Sequence, residues 1–258
     1  ALAELEQVPQ SSPRFVDART AMARIWERRK DWPRTQAELR RAIAATPDNL
    51  TLQVYLAGVT QRSGDLPGAV AIMETLIQAN PDKPDLYYDL GVIHGEAGDR
   101  DRSLELMHKV LELDPDNASA LNYIGYTWAE QGERLDEAEQ MIRRAIALKP
   151  EDGYITDSLG WLFYQRGLKQ LAAGESDAAR SSFNAARAQL EHALELLDKG
   201  DPVITWHLGD AYRSLARLED ALVTYERALA LEPEADDAAR IQREIETLRL
   251  ELRGAKRE

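Results

Sequence analysis

The sequence predicts an all-α protein: an α-solenoid of stacked helix-turn-helix repeats closed by a C-terminal capping helix. Three observations predict it. Prolines recur at a fixed interval, with Pro47, Pro81 and Pro115 lying 34 residues apart and Pro150 following after 35. Between them a large apolar residue followed by glycine returns at one phase, in Leu90-Gly91, Ile124-Gly125, Leu159-Gly160 and Leu208-Gly209. The composition is rich in Ala, Leu, Glu and Arg and poor in glycine, proline and β-branched residues, which lowers the cost of helical backbone throughout.

Each observation has a physical cause. Proline cannot continue a helix interior, so a proline at constant phase cuts the chain into equal units. Glycine at a crossing point lets two helices approach closely, while large residues at i, i+3, i+4 and i+7 fill the space beside it. A third landmark, the small residue at Ala69, Ser103, Ala138 and Ala221, supplies the facing side of that crossing. A single helix pair leaves an apolar face exposed, so pairs must stack, and the last needs a cap with a polar outer face.

Taken in order, residues 1–15 read as an N-terminal tail and 16–49 as a first repeat carried by Ala23, Trp26, Ala42 and Pro47. Repeats 50–83 and 84–117 keep the phase. Repeat 118–152 shows Leu121, Ile124-Gly125, Trp128, Gly132, Ala138, Ile142, Ala145 and Pro150, with one extra residue in the turn at Arg134-Leu135. The unit 153–201 is about fifteen residues longer than its neighbours. Its surplus, Leu168 to Ala185, is helix-forming. Two lengthened helices are therefore expected, with Gly174 at their turn and Ser176 capping the second. Repeat 202–235 carries Leu208-Gly209, Tyr212, Ala221, Tyr225, Ala228 and Pro233. In 236–258, Ala239, Ile241, Ile245, Leu248 and Leu252 fall near one helical face among Arg and Glu, which fits the cap, and Gly254 to Glu258 is expected to fray.

These landmarks resemble the tetratricopeptide repeat family across about residues 16–235, as a six-repeat superhelix. The resemblance implies a protein-binding scaffold whose first helix in each repeat lines a concave groove. Carried over position by position, the groove-lining residues are Thr51, Val54, Gly58, Gln61 and Arg62, followed by Asp85, Tyr88, Val92, Gly95 and Glu96. Ser119, Asn122, Tyr126, Ala129 and Glu130 come next, then Tyr154, Asp157, Trp161, Tyr164 and Gln165, and finally Val203, Trp206, Asp210, Arg213 and Ser214. Among them Tyr88, Tyr126, Tyr154, Trp161, Tyr164 and Trp206 are aromatics that core packing does not require, because Leu90, Ile124 and Trp128 already fill that role. Rings of this kind give large contact area with few rotors. Asn122, Asp157, Asp210 and Arg213 would add hydrogen bonds. The alternative for some rings, Tyr154 and Trp206 above all, is packing between neighbouring repeats. The groove lysines of repeats that clamp chaperone tails are absent, which disfavours that subfamily.

Charge and composition exclude several functions. The net charge is −13 and residues 50–160 carry 20 Asp/Glu against 9 Lys/Arg, so nucleic acid, which needs a basic stripe, is not the expected partner. The absence of cysteine excludes disulfides and thiolate chemistry. No apolar run reaches the roughly 18 to 20 residues that span a bilayer. The chain begins at Ala1, which reads as a processed or truncated N-terminus, and it leaves open whether a signal peptide or lipidated cysteine belongs before it.

Catalysis has little support: there is no P-loop, Gly-x-Gly-x-x-Gly, nucleophile elbow or His-Glu-x-x-His. His94, His108, His192 and His207 are scattered and read as packing or surface residues rather than metal ligands. No enzyme activity, metal or cofactor is expected.

The block Leu121 to Gly167 includes Gly-Tyr-Thr-Trp-Ala-Glu, Pro-Glu-Asp-Gly-Tyr-Ile and Asp-Ser-Leu-Gly-Trp-Leu-Phe-Tyr. It is similar to bacterial envelope tetratricopeptide proteins, including outer-membrane lipoprotein adaptors that bind a carboxyl-terminal processing protease. That implies a periplasmic or outer-membrane-associated adaptor for an envelope protease or cell-wall enzyme, with the cytoplasm as the alternative compartment. Two rival functions stay open. One is a permanent structural subunit of a secretion, pilus or motility assembly. The other is a glycan-acting enzyme using Asp157 and Asp210 beside Trp161 and Trp206.

Overall fold

The computed structural model describes residues 2–255, and over them the chain is helical with no strand. Packing divides it into two compact units, residues 1–115 and 116–258. In the first unit a short helix α1 (Leu2–Glu6) precedes three pairs: α2 (Phe15–Arg28) with α3 (Trp32–Ala45), α4 (Leu50–Arg62) with α5 (Leu66–Ala79), and α6 (Pro84–Glu96) with α7 (Arg100–Leu113). The second unit repeats the plan. It pairs α8 (Ala118–Gln131) with α9 (Leu135–Leu148), α10 (Gly153–Ala172) with α11 (Ser176–Glu195), and α12 (Pro202–Ser214) with α13 (Leu218–Ala230), and it ends in α14 (Ala235–Ala255). Each unit is thus a solenoid of helical hairpins, the class the sequence predicts. The first helix of a pair is called A below and the second B.

Local chemistry sets the ends of these helices. Pro47, Pro81, Pro115 and Pro150 each stand two residues past the last residue of a B helix. Asn49, Asn117, Asp152 and Asp201 then cap the A helices that follow, their side chains accepting backbone N–H groups of the first turn. Asp31, Asp65 and Asp99 cap three of the B helices in the same way. Each such cap contributes about 1 kcal/mol.

The crossings explain the recurrent glycine. A Cβ on Gly125 would lie 2.6 Å from Ile142 Cγ1 and 3.0 Å from the Ala138 carbonyl oxygen, so α8 and α9 touch backbone to side chain there. A Cβ on Gly209 would meet the Tyr225 ring at 2.5 Å. On the facing helices Ala69, Ser103, Ala138 and Ala221 are fully buried. Between pairs, apolar residues close the seam. Met73 and Leu76 pack with Leu86 and Leu90 in the first unit, and Leu190 and Ala193 pack with Ile204 and Leu208 in the second.

The fifth pair is longer because both helices are extended: α10 and α11 have 20 residues each, against 14 each in α8 and α9. Gly174 makes the turn at φ +81°. The capping position falls on Glu175 rather than on Ser176 as expected, because the left-handed glycine reverses the chain one residue earlier and leaves Ser176 as the first helical residue. The extra residue in the α8–α9 turn is absorbed by Arg134, at φ 46°, whose guanidinium sits 3.9 Å from the Trp128 ring centroid.

In α14 the buried stripe is Ile241, Ile245 and Leu248, packed on Ala221, Tyr225 and Ala228. Ala239, expected on that face, is exposed, since it sits roughly 200° round the helix from Ile241. The helix also continues through Gly254 and Ala255, where fraying was expected. Residues 256–258 of that segment, like Ala1 of the expected tail, lie outside the described residues. At the other end Arg19, buried against Glu38 at 3.2 Å, donates to the carbonyls of Leu5, Glu6 and Val8 and so ties the segment before α2 to the first pair.

Gly125→Ala is expected to destabilise the second unit by about 1–3 kcal/mol through overpacking. Gly254→Ala, in a helix with open space around it, should be neutral or gain up to about 1 kcal/mol. Thermal melts of the two variants beside the parent check both.

Candidate partner-binding site

The A helices place the residues singled out above. Tyr88 on α6 and Asn122 and Tyr126 on α8 are half-buried. On α10, Tyr154 stands 58% exposed in the first turn, Asp157 is buried, and Trp161 and Tyr164 are half-buried. Trp206, Asp210 and Arg213 on α12 are half-buried.

Four of them converge. Tyr164, Trp206, Asp210 and Arg213 line a cavity of about 560 Å³ together with Ser214 of α12 and Arg240, Arg243 and Glu244 of α14. Tyr154 belongs to a different cavity of about 410 Å³, with Lys149, Pro150 and Leu197 among its walls. Tyr88, Asn122 and Tyr126 line neither.

Behind the first cavity lies a buried polar stack. Asp157 accepts from the Nδ1 of His207 at 2.9 Å, and the imidazole stacks on Trp161 at 4.1 Å between centroids. Trp161 in turn stacks on Tyr164 at 5.0 Å. Burial alone would push the His207 imidazole down. The Asp157 carboxylate and its hydrogen bond outweigh that and hold it above its ordinary value. Asp157 is therefore a correction to the expected groove: at 8% exposure it faces the seam with α12 and holds a histidine, and it is not open to a partner.

Two further polar residues also have internal partners. Arg213 is bonded to Glu244, and to Glu251 at 3.2 Å, so α14 holds the guanidinium expected to reach a ligand. Asp210 accepts from the Tyr225 hydroxyl. Burial pushes its carboxyl up, although Tyr225, His207 and Arg213 pull the other way. Burial and then Asp210 raise the Tyr164 hydroxyl to about 12, so it remains a neutral donor.

Some buried polar atoms have no partner. The Oδ1 of Asn122 and the Nε1 of Trp161 and of Trp206 make no hydrogen bond. The Trp206 N–H helps to hold the Asp210 carboxyl down, yet its geometry falls short of a hydrogen bond. Such atoms are rare in folded proteins and call for a partner or a rearrangement that supplies one. Turning a half-buried ring or amide outward would present these groups to a bound chain.

Sequence reasoning missed Arg240, Arg243 and Glu244. Arg240 lies with its Cζ 5.3 Å from the Trp206 ring centroid. The available signal was that these residues flank the Ile241, Ile245 and Leu248 stripe and so border whatever that stripe packs on. His207 was read as packing or surface, and it is packing.

Comparison with known proteins places this geometry in a class. Residues 88–153 and 206–234 match family models described as tetratricopeptide repeat. Those two stretches are tetratricopeptide-like, and the helical-hairpin fold of both units is of the same kind. Among solved structures, a human IFIT1 dimer with m7Gppp-AAAA is similar at 15% identity and a TM-score of 0.64, covering 80% of this chain and 48% of that one. A MamA RS-1 ArsTM double mutant is similar at 17% identity and a TM-score of 0.53, covering 72% and 95%. A tetratricopeptide repeat protein from Parabacteroides merdae is similar at 14% identity and a TM-score of 0.50, covering 90% and 98%. At these identities the likeness concerns the fold. No curated protein sequence matches.

The Asp157–His207 pair gives a pH signature. Because the folded-state value of His207 is raised, its contribution to stability is complete below the unfolded value of about 6.5 and is lost as pH rises through the folded value. The stability difference between the parent and His207→Gln should therefore be largest in mildly acidic buffer and shrink toward alkaline pH. Denaturant unfolding of both proteins across that range measures it.

Proposed function

We propose that this chain is a protein–protein interaction scaffold that captures a segment of a partner protein across its A-helix face. The observation that carries the reading is the convergence of Tyr164, Trp206, Asp210 and Arg213, from two successive A helices, on one cavity. Half-buried aromatic rings beside polar groups are what contact hot spots are made of, and here Arg213 and Asp210 would exchange Glu244 and Tyr225 for groups of the partner. The unpaired atoms of Asn122, Trp161 and Trp206 add donors and an acceptor of the kind a peptide main chain satisfies.

The finer reading is an adaptor in the bacterial envelope that holds a carboxyl-terminal processing protease or a cell-wall enzyme. It is supported by the similarity of the block Leu121 to Gly167 to envelope adaptors.

Trp161→Ala is a poor probe, because it removes a ring stacked on buried His207. Tyr126 and Tyr154 are better ones. A photo-crosslinking amino acid at either position is expected to label one and the same partner in cells, whereas the same group at Val223, 65% exposed on a B helix, should label it far less. Equal labelling from all three positions contradicts capture on the A-helix face. Mass spectrometry of the adduct tests the finer reading: a cytoplasmic partner would remove the envelope role and leave the scaffold.

A further inference from the structure

A third cavity, between α4 and α6 of the first unit, has a chemistry of its own. It holds about 230 Å³, below the ~300–1,000 Å³ of sites for drug-sized ligands, so its scale is that of one side chain. Val54, Gly58, Val92 and Ile93 give it apolar walls, and Asp89, Gln61 and Glu96 bring oxygen atoms to it.

Its charges are unbalanced. Asp89 is half-buried and makes no ion pair or hydrogen bond with any described residue. Burial, followed by the nearby Asp85 carboxylate, pushes its carboxyl up to about 6. Gln61 Oε1 is buried in the wall with no donor. Arg62 is the cation lining the cavity, and it is paired with Glu27 at 2.6 Å. The Tyr55 hydroxyl donates to the same Glu27. The cavity therefore offers acceptors with no donor committed to them, and apolar walls beside them. The complement is a long aliphatic stem ending in a cation.

We propose that this cavity is a subsite for a lysine or arginine side chain of the bound partner. The stem lies along Val54, Val92 and Ile93, and the cationic head donates to Asp89 and to Gln61 Oε1. The proposal rests on the reading of the A-helix face as the capture surface, and it gives that surface a preference for a basic residue. The pairing supplies the counter-charge that Asp89 lacks within the chain, as a charge-assisted hydrogen bond.

The test titrates the whole chain with Nα-acetyl-lysine-N-methylamide and its arginine counterpart, using the norleucine and glutamate counterparts as controls, and follows the amide resonances of Gly58 and Val92. The basic probes should shift both resonances and the controls should not. Asp89→Asn should weaken the basic probes by roughly 10-fold or more, the loss of one charge-assisted bond. It should leave the melting temperature equal or higher, since no internal partner is lost. Norleucine shifting the resonances as lysine does, or an unchanged affinity in Asp89→Asn, overturns the proposal.

If that variant does not fold, the parent decides by pH. Binding should weaken as pH falls through about 6, where Asp89 takes up its proton among Asp85 and Glu96 on α6 and Arg62 and Tyr55 on α4. Binding that is constant across that range overturns the subsite. No partner protein enters the titration, so its failure is separable from failure of the crosslinking.

Discussion

The two helices of a pair come together where one of them offers no side chain, as at Gly91, Gly125, Gly160 and Gly209, or only a methyl, as at Ala23 and Ala57, and this steric condition governs most of what the molecule can be. At Gly160 an added methyl would lie 2.7 Å from Leu190 Cγ, and at Gly91 it would lie 2.8 Å from Met107 Cε. Each contact fixes the rotation of an A helix about its own axis. With Leu90, Leu159 or Leu208 beside the glycine committed to the core, the residues on the other side of the helix have nothing of their own pair to pack on. They face the next A helix, a partner, or solvent. The free face and its aromatic residues are a consequence of the crossing.

What the second unit does with that face differs from what the first does. In the second, Asp157, His207, Trp161 and Tyr164 form a stacked, hydrogen-bonded layer, and α14 lays Arg240 over Trp206 and Glu244 against Arg213. Rings held in this way are committed to internal contacts, and offering the Trp161 or Trp206 N–H to a partner requires a ring to turn out of them. In the first unit, the cavity beside Asp89 leaves its carboxylate without a counter-charge. In the second unit the A-helix residues are largely engaged within the chain, apart from the indole N–H groups of Trp161 and Trp206, while in the first a carboxylate waits for a charge from outside.

Much of the fold was legible because its determinants are short-range. A proline two residues beyond a helix, an Asn or Asp at its start and a glycine at its crossing act within one repeat, and they read directly from the letters. The site was less legible because its determinants are long-range. Tyr126 and Trp206 could be placed on A helices from the sequence. That Asp157 would turn to His207, fifty positions on, depends on how α10 and α12 lean together. The engagement of Arg213 depends on Glu244, thirty-one positions on, in a helix whose apolar stripe was visible but whose polar flanks carried no marker. Asp89 was not singled out because a lone aspartate on an acidic helix looks like solvated surface until its burial is known.

The most direct test of the central claim, that the A-helix faces are the working surface, is hydroxyl-radical footprinting of side chains in the cell and in the purified chain. The account predicts that Tyr126, Tyr154 and Trp206 lose reactivity in the cell while Val223 and Leu250, exposed on α13 and α14, keep theirs. Protection confined to Val223 and Leu250, with those three rings equally reactive in both settings, would contradict it.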